Sequence, residues 1–171
     1  MTPEWSRPIP IDTIGDNARP VQIDADVDER RRLAGRFGLL AIDRLQARFA
    51  LRREGAGIVA RGTVEAAVTQ ACSVTGEPLS AHIAEPVDLR FVEASLADEN
   101  EVELSSDALD TLPIEDGVID LGEAAAETMA LAIDPFARAP GAEEALREAG
   151  VVGEDDVEPF NAFAALKGKL S

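Results

Sequence analysis

A chain of 171 residues, 46% of them hydrophobic, can bury one core of ordinary size, which predicts a single domain over residues 1–171 with a trailing segment. No run approaches the roughly 18 apolar residues of a membrane span. The start, Met1-Thr-Pro-Glu-Trp-Ser6, lacks the basic and apolar parts of a signal peptide, so the expectation is a cytoplasmic protein without a membrane partner.

The net charge of −17 is unevenly spread: residues 1–84 hold 11 Arg against 11 Asp and Glu, residues 85–158 hold 3 Arg against 22, and residues 159–171 add two Lys. The acidic half repels nucleic acid and attracts basic surfaces, whereas Arg residues sharing a face in the first half could touch phosphate locally. The one cysteine, Cys72, cannot form an intramolecular disulfide.

Residues 1–19 read as an N-terminal arm. Pro3, Pro8, Pro10 and Pro20 exclude a helix, and Val21-Gln-Ile23 can join a sheet edge. Glu29–Phe37 follows as a helix, with acidic residues at its start, Arg36 near its end and Gly38 stopping it. Its stripe of Val27, Leu33, Ala34 and Phe37 predicts that it covers a sheet and leaves Arg30, Arg31 and Arg32 in water.

Residues 44–53 alternate strictly, with Leu45, Ala47, Phe49 and Leu51 on one side and Arg44, Gln46, Arg48, Ala50 and Arg52 on the other, the period of a half-buried strand. Glu54-Gly-Ala-Gly57 suits a four-residue hairpin loop. The next strand puts Ile58, Ala60, Gly62, Val64, Ala66 and Val68 inward, and a third, after the Cys72 turn, does the same with Ile83, Val87, Leu89 and Phe91. If the first hairpin pairs Arg53 with Ile58, and the second closes about Gly76 and Glu77, then Phe49 and Phe91 both flank Gly62.

Residues 95–113 have the composition of an acidic, solvated loop, with Val102 and Leu104 its one strand-like hint. A helix over Glu123–Ile133 follows, stopped by Pro135 and opened by Asp120 with Glu123 in capping-box-like spacing. Residues 142–171 form a partly mobile helical tail, with candidates at Ala142–Ala149 and Pro159–Lys167. The class is α+β: an antiparallel sheet of long strands packed by helices, with an acidic loop and a C-terminal helical segment.

No catalytic constellation emerges. One Cys and one His cannot supply a zinc site, and strand parity sets Cys72 inward and His82 outward, against a dyad. Asp107, Asp110, Glu115, Asp116 and Asp120 match no calcium-loop spacing and read as solvated, so no metal or cofactor is expected. Arg44, Arg48, Arg52, Arg61 and Arg90 share the outward face, either as a solvated mixed surface or as phosphate contacts. Without an aromatic on that face, a base-stacking platform is not expected.

Cys72-Ser-Val-Thr-Gly-Glu-Pro78 after a long strand, followed by Asp120-Leu-Gly-Glu123, Glu127, Leu131-Ala-Ile-Asp-Pro135, Arg138 and Pro140-Gly-Ala142, resembles the YceD family in its alphaproteobacterial form. The likeness spans residues 8–170, and its motif positions are Cys72, Thr75, Pro78, Asp120, Leu121, Gly122, Glu123, Glu127, Asp134, Pro135, Arg138, Pro140 and Gly141. It implies a role in accumulation or processing of large-subunit ribosomal RNA, hence ribosome assembly; the residues offer no set of nucleophile, base and oxyanion donors, so the expected role is non-enzymatic. Many relatives carry a second cysteine three residues after the first. Thr75 stands there instead, which removes a thiol pair. In family terms Glu127, Asp134 and Arg138 could form an ion-pair cluster, either capping a helix end or meeting a partner. The implied partner is large-subunit rRNA or a pre-ribosomal particle, with an acidic module holding a basic ribosomal protein as the alternative. The oligomeric state stays open.

Overall fold

The three longest alternating segments become the three longest strands. The computed structural model describes residues 3–93 and 110–152. In chain order it contains β1 (Pro8–Pro10), a 3-10 turn (Ile11–Thr13), β2 (Arg19–Asp24), α1 (Val27–Phe37), β3 (Ala41–Glu54), β4 (Gly57–Ala71) and β5 (Pro78–Glu93). After these come β6 (Asp110–Ile114), β7 (Val118–Asp120), α2 (Leu121–Leu131) and α3 (Ala142–Glu148). The main sheet runs β2-β3-β4-β5-β6, antiparallel except for the parallel pair β5-β6, while β1 and β7 make a separate ribbon. The α+β class holds.

The apolar inward residues of β3, β4 and β5 named above are buried, with Gly62 half-buried among them, and one apolar cluster joins them to Leu33 of α1 and to Leu121, Ala125 and Met129 of α2. Both helices therefore cover the same face of the sheet. Each fully buried Leu, Ile or Met in it is worth about 1.5–3 kcal/mol over an exposed one, which makes this layer the main source of stability.

The first hairpin pairs Arg53 with Ile58 and Phe49 with Gly62, as the parity predicts. Its loop is shorter than expected, because Glu54 pairs with Gly57 and only Gly55, at φ 60°, and Ala56 make the turn. The second hairpin departs from the expected register. Gly62 faces Val87, and Phe91 faces Ile58. The turn is centred between Val74 and Thr75, since the Cys72 N–H donates to the Glu77 carbonyl at 2.7 Å and the Gly76 N–H to the Cys72 carbonyl at 2.9 Å. A displacement by an even number of residues leaves every side chain on its expected face. The reason for Gly62 changes with it: a Cβ there would lie 1.8 Å from the Arg48 carbonyl oxygen, so backbone approach, not the space between two rings, demands glycine.

The N-terminal arm is part of the core, with Trp5 and Ile14 buried in it and β1 paired to β7. Helix α1 starts with a full capping box, in which the Glu29 N–H donates to Asp26 Oδ1 and the Asp26 N–H to Glu29 Oε2, both at 2.8 Å. That box, with the Arg7 guanidinium on Glu29, turns Glu29 inward and leaves Val27 60% exposed, outside its expected stripe. Gly38 ends the helix at φ 66°. Of the expected acidic loop, Asp110–Pro113 belongs to β6, whereas residues 95–109 lie outside the described residues, as does the candidate helix Pro159–Lys167. Among the described residues no helix is long and apolar enough to cross a membrane.

Candidate nucleic-acid interface and the cysteine turn

The register places the five arginines on one face. Along it Arg44 is paired with Ala67, Arg48 with Thr63, Arg61 with both Ala50 and Asp88, and Val59 with Arg52 on one side and Arg90 on the other. Neither α1 nor α2 packs there. Val59 is buried between its two half-buried arginine neighbours, whose aliphatic stems suit that position.

The guanidiniums are held with unequal firmness. Arg61 Nε meets Asp88 at 2.9 Å and Arg52 meets Glu54 at 2.8 Å, but Arg44 and Arg48 share Glu65 at 3.6 and 3.9 Å. Glu65 also accepts a hydrogen bond from the buried Gln46 amide. Arg90 has no ion pair among the described residues. The side chains of Arg44 and Arg48 are 62% and 61% exposed, and pairs this exposed contribute about 0–1 kcal/mol, so exchanging Glu65 for a phosphate loses little. Asp24, opposite Gln46, adds an acidic neighbour from β2. The aromatic rings of Phe49 and Phe91 point into the core, leaving this face without a stacking surface among the described residues.

The Cys72 turn lies at the other end of β4. Cys72 is buried with Ala139 and Ala142, while His82 is exposed on the outward face opposite Ala67, so no dyad forms. The sulfur accepts from three backbone N–H groups, those of Val74 and Thr75 at 3.4 Å and that of Ala139 at 3.2 Å. With the Thr75 hydroxyl as the largest influence and these amides adding to it, the thiol is lowered from 9.0 to about 6, against the opposing effect of burial. The hydroxyl has one proton and a second acceptor, the Glu77 carboxylate at 2.9 Å, yet the amide donors alone act in the same direction.

Two motif blocks more than fifty residues apart in sequence thus meet. The Ser73 N–H donates to the Ala137 carbonyl at 2.9 Å, and the Asp134 carboxylate shapes that loop by accepting from the Phe136 N–H at 2.9 Å. Pro135, Pro140 and Gly141 are exposed in the same connection, and Gly141 leads into α3; Thr75 and Pro78 are exposed on the turn. Glu127 and Arg138 are exposed, and no ion pair joins Glu127, Asp134 and Arg138.

Asp120 has a structural task. Its Oδ1 accepts from the N–H groups of Gly122 at 2.9 Å, Glu123 at 3.2 Å and Arg7 at 2.8 Å, and its Oδ2 from the Ser6 hydroxyl. Glu123 does not complete a capping box, because its carboxylate grips Arg36 at 2.6 and 3.0 Å, and Arg36 also reaches Glu4 at 3.1 Å. Those two carboxylates raise the Arg36 pKa. Leu121 is fully buried, and a Cβ on Gly122 would lie 2.6 Å from the Trp5 carbonyl oxygen. The sequence pattern did not reveal the partners Trp5, Ser6, Arg7, Glu29 and Arg36. The available signals were the lone tryptophan and the Asp26-x-x-Glu29 spacing.

A family model described as Large ribosomal RNA subunit accumulation protein YceD matches residues 60–168. The chain belongs to the YceD family. The match takes in the Cys72, Asp120 and Asp134 blocks with Arg61 and Arg90, whereas Arg44, Arg48 and Arg52 precede it. The YceD description ties this chain to accumulation of the large ribosomal RNA subunit. No curated protein and no solved structure matches it.

Proposed function

We propose that the protein is a non-enzymatic, cytoplasmic factor that supports large-subunit ribosomal RNA accumulation and ribosome assembly by laying its arginine-bearing sheet face on rRNA phosphates. The observation that carries this reading is the gathering of Arg44, Arg48, Arg52, Arg61 and Arg90 on a face that no helix covers among the described residues, in a chain whose net charge is −17. Loose pairing of Arg44 and Arg48 with Glu65 leaves both ready to exchange a carboxylate for a phosphate. Recognition is of backbone charge and shape, without base preference.

The test replaces Arg44, Arg48 and Arg61 together by Gln and measures binding to large-subunit rRNA fragments across a salt series. Binding should weaken alike for unrelated sequences, and the slope of log K against log salt should flatten by about 0.7–0.9 for each phosphate that is no longer neutralised. Association with assembling large subunits at the parental level would overturn the rRNA-facing reading and leave the acidic protein-binding alternative.

A further inference from the structure

A cleft of about 420 Å³ opens between the β6–β7 turn and the first turns of α2. Its floor is apolar: Phe91 and Leu112, paired across β5 and β6, with Val118 and Ala124. Carboxylates stand around it. The tight turn at Asp116 and Gly117, with φ of 50° and 73°, sets Glu115 and Asp116 on one rim, and Glu127 rises from α2 on the other. Two more lining carboxylates are already occupied, Asp120 by the helix cap and Glu123 by Arg36. Glu115, Asp116 and Glu127 have no ion pair among the described residues.

From this contrast we infer that the cleft docks a Lys/Arg-rich segment of a partner protein. A lysine or arginine side chain has both parts the cleft asks for, an aliphatic stem for the floor and a cation for the rim. Nucleic acid has the wrong charge for it, and an uncharged apolar peptide would leave three carboxylates facing its backbone. The chain's only lysines, Lys167 and Lys169, supply two positive charges against a net −17, which favours an external basic partner over the chain's own end. The site lies on the helix-bearing side of the sheet, apart from the arginine face, so either surface can fail its test without the other.

Fluorescence anisotropy on the full chain tests the assignment with two labelled peptides of equal length and charge, one alternating Lys with Leu and the other Lys with Ser. The Lys/Leu peptide should bind more tightly, because only it fills the floor. Replacing Glu115 by Gln, Asp116 by Asn and Glu127 by Gln together should weaken it by about 3- to 150-fold, the loss of three exposed ion pairs at once. A control with the same charge change on α3, Glu143→Gln, Glu144→Gln and Glu148→Gln, should bind as the parent does. Equal binding of the two peptides, or an equal loss in the control, would reduce the effect to net charge and overturn the site. Carbodiimide coupling of Lys167 or Lys169 to Glu115, Asp116 or Glu127 within one chain would also overturn it, by showing that the chain's own end occupies the cleft.

Discussion

Replacing Gly62 by Ala asks whether backbone approach dictates that residue. The added Cβ would lie 1.8 Å from the Arg48 carbonyl oxygen and 2.8 Å from its carbon, both main-chain atoms in the middle of the β3–β4 ladder. Neither can rotate away, so the strands must part locally and weaken one hydrogen bond of the ladder. Overpacking of this kind costs about 1–3 kcal/mol, and the weakened ladder bond adds about 1 kcal/mol, giving a loss of about 2–4 kcal/mol. For a chain of this length that lowers Tm by about 4–16 °C. Urea unfolding followed by the fluorescence of Trp5, the single and fully buried tryptophan, measures it. Gly35→Ala in α1 is the internal contrast: nothing lies within 4 Å of its Cβ, and the helix should gain about 0.4–1 kcal/mol. A Gly62→Ala midpoint equal to the parent's would refute the β3–β4 geometry.

Hydrogen bonds from Arg7 hold Glu29 below the ordinary value of 4.5, so its contribution is present above that value and is lost as pH falls through the lower folded one. Glu29→Gln should lose about 1.5–3 kcal/mol at neutral pH and show a shallower decline in stability below about pH 4.5; an acid limb identical to the parent's would contradict the pair. The Cys72 thiol, lowered to about 6, should add stability progressively as pH rises from there toward the unfolded value near 9.0. The stability difference between parent and Cys72→Ser should widen over that interval, and ultraviolet thiolate absorbance should titrate near 6, moving upward in Thr75→Val. A thiol titrating near 9 would show that the amide donors do not act on the sulfur.

The features legible along the chain were periodic ones. Alternation over residues 44–53, 58–71 and 81–93 is a local property of the chain, and it specified three strands, their buried sets and the shared face of Arg44, Arg48, Arg52, Arg61 and Arg90. Even the displaced register of the second hairpin left that face intact, because parity survives any even shift. Local chemistry likewise marked the Asp120 cap, the Gly38 stop and the β2 edge. The meetings of distant groups came from the folded chain alone. Glu29 turned inward because Arg7 lies across from it, and Glu123 left its own cap because Arg36 was in reach. The turn closed about Val74 and Thr75, with its sulfur held by the Ala139 amide. Gly62 was required by the carbonyl of Arg48 on the neighbouring strand. None of these meetings has a sequence spacing that repeats, so no period announces them; they exist only once the sheet, the helices and the connections between them have come together.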